Sequence, residues 1–238
     1  MKFICTLALL FSVNLLFGQP PTAGTPHSEL LSRADIDRIF NDGVKKQFNI
    51  DFNIFKVFKC DDKSGRFYIV LIEKYNGINE ENDTLHTKIR GINFLSTPNG
   101  LLKQWELNDF TIKQVNEGDM ETSIWFWTKF SEFNDVDKDG LIDPIIIYGT
   151  AGMNMYDDGR IKILVYYKGK KIAIRHQNGV LDGQRFTQVD EDFYTLPQVI
   201  QNHVKAIMKN LQDKQFAIFP DGWQNAMAKH KLKFDEKH

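Results

Sequence analysis

An α+β fold follows from three features of this 238-residue chain. Apolar residues alternate with polar ones in paired runs joined by short turn clusters, which is the mark of antiparallel strands. One stretch near the start and one near the end switch to helical spacing. No linker or fixed-period repeat interrupts residues 32–238. Together these predict a single domain built on an antiparallel β-meander of about eight strands, with an N-terminal helix and two C-terminal helices on one face or end of the sheet.

The chain opens MKFICTLALLFSVNLLFGQPP. One lysine, an apolar run of about 15 residues and a polar proline-containing stretch read as a secretory signal peptide, residues 1–18. The run is shorter than the roughly 20 residues of a membrane span. Cleavage after Gly18 is expected, which leaves no membrane span in the mature chain. Cys5 lies too early in the run for a lipid anchor. Residues 19–31, beginning QPPTAGTPHS, read as a flexible leader.

Ser32 is placed to cap a helix in which Ile36, Ile39, Phe40 and Val44 share a face. The period then changes to two. DFNIFKVFKC and RFYIVLIEKY flank the turn DDKSG, and HTKIRGINFLS and LLKQWELNDF flank TPNG. SIWFWTKFSEF leads into an aspartate-rich loop and PIIIYGT leaves it. RIKILVYYK and KIAIRHQ form the last pair, around KGK. Thr195 and Gln198 then have capping-box spacing. Leu196, Val199, Ile200, Val204, Ile207, Met208 and Leu211 mark one face of the helix that follows. A shorter helix starts at Asp221-Gly-Trp-Gln224 and runs to about Lys231.

Composition narrows the function classes. With Lys2 removed, 29 of the 30 basic residues remain against 31 acidic ones. Such a balance gives no argument for nucleic acid or an anionic membrane. Cys60 is the sole cysteine after processing, so no internal disulfide is available. Its apolar setting, FKVFKC, fits a buried, inert thiol. The six histidines lack zinc-ligand spacing, and neither a nucleophile elbow nor a Gly-rich phosphate loop is present.

The sharpest chemical signal is FNDVDKDGLIDPIIIYG, Phe133 to Gly149. With Asp135 as position 1, Asp137 is 3, Asp139 is 5, Gly140 is 6, Leu141 is 7 and Asp143 is 9. Calcium takes six to eight oxygens, and a tight loop supplies them from alternating carboxylates and one backbone carbonyl. The expected ligands are Asp135, Asp137, Asp139, the Leu141 carbonyl and Asp143. Position 12 is Ile146, where a helix–loop–helix hand needs glutamate. The flanks are β-rich. The segment therefore resembles the strand–loop–strand calcium loops of FG-GAP and VCBS repeats, which implies a structural calcium ion. Magnesium or manganese also suits oxygen ligands. The bland alternative is a solvated acidic turn.

Trp125 and Trp127, two apart on a strand, are candidates for a sugar-stacking platform with Trp105 and Trp223, against the alternative of core packing. Asp157, Asp158 and Gly159 read as a hairpin turn, and NEENDTLH as an exposed loop. Arg175, His176, Asp182 and Arg185 form a basic–acidic cluster beside glycines. Either an anionic sugar or phosphate, or else strand-end salt pairs, would use it.

The order of signal peptide, meander, aspartate loop, IRHQNGVLDGQRFTQVD and closing helices resembles a family of secreted bacterial proteins described as surface polysaccharide biosynthesis proteins. The resemblance covers most of the mature chain. It implies a secreted or periplasmic protein with surface glycan or envelope proteins as partners, and it carries no catalytic residue with it. A binding or accessory role is the first expectation. A glycan-active enzyme and a purely structural envelope protein are the alternatives.

Overall fold

A computed structural model describes residues 24–80, 82–112 and 121–236. The expected signal peptide, residues 1–18, lies outside them. The described chain is mostly antiparallel strand with helices near its start and its end, as the sequence predicts, and it has four α-helices where three were expected. Two further features differ from expectation: the described residues form twelve strands where about eight were expected, and these make two sheets.

The first sheet runs in chain order: β1 (His27–Leu30), β2 (Ile54–Asp62), β3 (Gly65–Ile78), β4 (Thr84–Thr97) and β5 (Gly100–Phe110). The predicted hairpins are β2–β3 and β4–β5. Strand β1 comes from the expected leader, whose His27–Leu30 pairs with Phe58–Asp61. Helices α1 (Arg33–Ile39) and α2 (Asp42–Gln47) replace the single helix expected there. Ser32 caps the first through Asp35 N–H at 3.2 Å. The break falls at Phe40–Asn41, because the Asn41 side chain accepts the Val44 N–H and caps a new helix.

The second sheet has the order β12 (Lys233–Asp235), β11 (Phe186–Val189), β10 (Lys170–Gln177), β9 (Arg160–Tyr167), β8 (Asp143–Ala151) and β6 (Ser123–Phe126). The short β7 (Glu132–Asn134) also pairs with β8. Helices α3 (Gln198–Asp213) and α4 (Trp223–Ala228) follow. No capping box forms at α3: the Thr195 hydroxyl donates to Asp192 O at 2.8 Å, and Pro197 is the N-cap. Val199 is exposed, although its spacing suggested the buried face. The remainder of that face, Ile200, Val204, Ile207, Met208 and Leu211, is buried.

Three apolar clusters define four layers. Ile36, Phe40, Val57, Tyr68, Val70 and Ile72 join α1 and α2 to the outer face of the first sheet. Phe67, Ile69 and Leu71 face the other way and meet Phe126, Ile146, Tyr148 and Leu164 of the second sheet. Ile145, Ile147, Ile163 and Val165 face outward again, under α3 and α4. The expected helices on one face are thus helices on both outer faces. Strand β8 and the middle of β3 are buried on both sides, which is why PIIIY and IVLI are unbroken apolar runs. A polar tie also crosses between the sheets. Lys162 Nζ donates to Asp109 at 2.6 Å, and Tyr148 Oη donates to the same carboxylate oxygen at 3.0 Å.

Candidate functional site

The aspartate loop joins β7 to β8, with Asn134 opposite Asp143. Carboxylate oxygens of Asp135, Asp137 and Asp143 lie within 4.8 Å of one another, so this cluster could hold a metal ion. The backbone shapes it. Lys138 and Gly140 take positive φ, 61° and 91°, and turn the chain back on itself. Amide groups then point inward. Gly140 N–H donates to Asp135 Oδ2 at 2.9 Å, Asp139 N–H to Asp137 Oδ1 at 3.2 Å, and Val136 N–H to Asp143 Oδ2 at 3.0 Å. Tyr167 Oη donates to Asp137 Oδ2 at 3.0 Å. Asp135 Oδ1 is buried with no hydrogen-bond partner among the described residues. A buried acceptor left unpaired is costly, and a cation satisfies it.

Electrostatics agree. Burial pushes the Asp143 carboxyl up to about 6, and the charges of Asp137 and Asp139 push the same way. Asp139 stands apart from the three-carboxylate cluster. Its Oδ2 is 3.0 Å from Lys168 Nζ, which holds its carboxyl below the usual range, and its Oδ1 accepts the Leu141 N–H at 2.9 Å. Leu141 is half-buried beside a smaller cleft.

The loop also touches the other sheet. Ile142 N–H donates to Asp62 Oδ2 at 2.9 Å, Lys63 N–H to Gly140 O at 3.1 Å, and Lys63 Nζ to Asp139 O at 2.5 Å. Asp62 and Lys63 belong to the β2–β3 turn, whose Asp62 Oδ1 also accepts the Ser64 N–H at 2.7 Å.

The tryptophans do not form one platform. Strand β6 ends at Phe126, so Trp127 turns into the core against Phe130 and Phe216. A Cβ on Gly149 would collide with its indole. Trp223 is buried, with Nε1 donating to Gln212 at 2.9 Å. Trp105 stacks on Tyr166 at 3.8 Å. Trp125 alone of the pair is half-exposed, and it lines the wall of a cleft of about 520 Å³ with Tyr156, whose ring centroid is 5.8 Å away.

Neither Arg175 nor Arg185 lines that cleft. Arg175 pairs with Asp190 at 2.6 Å. Arg185 donates to the carbonyls of Gly179 and Val180 and pairs with Asp182 and Glu236. His176 is buried between Thr187 and Asn178, and burial lowers its pKa to about 4. These contacts match the strand-end alternative.

Two cleft residues escaped the sequence reading. Glu73 follows Phe67, Ile69 and Leu71 on the inward face of β3. Its Oε1 accepts the Phe126 N–H at 2.8 Å, closing the free edge of β6. Its Oε2 lies 3.6 Å from His86 Nε2. Burial raises the Glu73 carboxyl to about 7 and lowers the His86 imidazole. The β3–β4 register shifts by one residue after Lys74, so Tyr75 faces His86 instead of Thr87. That shift brings His86 onto the face of Glu73, the re-aiming that a bulge performs. Asp83, in the loop read as merely exposed, stands at the cleft rim beside Asn79. A carboxyl and an imidazole with shifted titration in a cleft with an aromatic wall mark a candidate site.

The chain matches no protein-family model, no curated protein and no solved structure. Among the described residues, no helix is long and apolar enough to cross a membrane.

Proposed function

We propose that this is a secreted or periplasmic accessory protein that binds envelope or surface polysaccharide and is stapled by one calcium ion. The observation that carries the binding role is the cleft walled by Trp125 and Tyr156 and furnished with Glu73, Asn79, Asp83 and His86. An aromatic wall with a few polar groups is how proteins hold a pyranose: the C–H face packs on the ring and the hydroxyls find partners. The resemblance to surface polysaccharide proteins supports the same ligand class.

Calcium belongs at the aspartate loop. Asp135, Asp137 and Asp143 supply carboxylates, the Leu141 carbonyl adds an oxygen, and Asp139 joins by exchanging Lys168 for the ion. Irregular, oxygen-only coordination favours calcium over magnesium, which demands a tighter octahedron. The ion's role is structural, because the loop is anchored to the opposite sheet through Asp62 and Lys63.

An array of bacterial-surface glycans tests the binding role. Saccharide binding that Trp125→Ala removes is expected, and an array that stays blank contradicts it. The Glu73–His86 pair favours a second reading, an enzyme on the same glycans with Glu73 as proton donor. Shortening of a bound glycan by the protein, lost in Glu73→Gln, would select that reading.

A further inference from the structure

The lining of the Trp125 cleft is electrically one-sided. Glu73 and Asp83 contribute two carboxyl groups, and no lysine or arginine lines it among the described residues. Lys56 reaches toward Glu73 from β2, but its Nζ donates to Thr128 Oγ1 at 2.7 Å. The candidate cations for an acidic sugar, Arg175 and Arg185, are spent on their own salt pairs elsewhere.

We propose that the cleft takes a saccharide unit without negative charge, neutral or amino-substituted, stacked on Trp125 and hydrogen-bonded by Glu73 and His86. This rests on the glycan-binding reading of the same cleft. A uronate or phosphorylated sugar entering here would shed water beside the Asp83 carboxylate, with no lysine or arginine among the described lining residues to receive it, which is unfavourable twice over. A neutral sugar meets neither cost. Its hydroxyl can accept from Glu73 in the acid form, whose other oxygen is already fixed by the Phe126 N–H. An ammonium group would gain from Asp83 and from the faces of Trp125 and Tyr156.

The test is equilibrium binding of the full mature chain to three matched sets of bacterial-surface oligosaccharides: neutral, amino-substituted and acidic. At least tenfold tighter binding of a non-acidic saccharide is expected, lost in Trp125→Ala. Asp83 is exposed, so Asp83→Lys should keep the fold; it should weaken amino-substituted ligands and admit acidic ones. Preferential binding of acidic saccharides, removed by Trp125→Ala, would overturn this inference and leave the glycan-binding reading intact. No Trp125-dependent binding in any set would overturn both.

Discussion

Asp62 Oδ2 accepts the Ile142 N–H at 2.9 Å, and through that bond a turn of one sheet holds the aspartate loop of the other. The partners are 80 residues apart in the chain. The same carboxylate shapes its own turn through the Ser64 N–H and hydroxyl. The loop that gathers three carboxylates is thereby also a clasp between the layers.

Asp62→Ala should therefore destabilise the protein. Hydrogen bonds to a charged group contribute about 1.5–3 kcal/mol, and a loss in that range is expected in a urea titration. A loss under about 0.5 kcal/mol, the level of an ordinary surface change, would mean that the clasp carries no load.

The outer helical layer has its own test. Ile207 is 5 % exposed on the face of α3 that covers the second sheet. Truncating a buried isoleucine costs about 2–5 kcal/mol, so Ile207→Ala should lose that much in denaturant. An unchanged midpoint would show α3 to be peripheral.

Glu73 gives stability a pH dependence of definite sign. Its carboxyl titrates near 4.5 when unfolded and about 7 when folded. Folding thus favours the protonated form. The contribution is complete below 4.5 and is lost as pH rises through 7. Lys56 and His86 face it, and His86 acts in the opposite direction. Its folded imidazole is lowered by burial, so its contribution holds above 6.5 and is lost as pH falls. Glu73→Gln isolates the first effect. Relative to that variant, the unmodified chain should lose stability from 4.5 to above 7 in melts at stepped pH. A constant difference would contradict the raised carboxyl.

Much of this architecture is legible in the chain, and the reasons separate cleanly. Hairpins β2–β3, β4–β5 and β9–β10 announce themselves because DDKSG, TPNG and KGK carry local turn chemistry. The aspartate loop is legible because ligand spacing is local as well. The second sheet is harder to see. Runs such as IVLI and PIIIY signal burial on both faces, but which layer covers each face is a long-range matter. Strands β11 and β12 pair Phe186 with Asp235, and three or four residues leave no periodic trace. Glu73 was readable: after Phe67, Ile69 and Leu71, period two puts a carboxylate where an apolar residue belongs. His86 was not, because a register shift decides its face. Asp139 shows a further limit: spacing offers it as a ligand but says nothing of its ion pair with Lys168, 29 positions later.

The proposed calcium clasp is tested most directly by melting the purified chain with chelator and then with excess calcium. Extracellular calcium modules bind at about 10⁻⁴–10⁻³ M, and the absence of glutamate at position 12 puts this loop in that range. Calcium at tenfold the dissociation constant stabilises by about 1.4 kcal/mol. For a domain of this size that raises the melting temperature by about 3–6 °C. The rise should reverse on chelation and vanish in Asp137→Ala. Identical melting temperatures with chelator and with calcium, together with no heat of binding in calorimetry, would contradict the account and leave the loop an acidic turn.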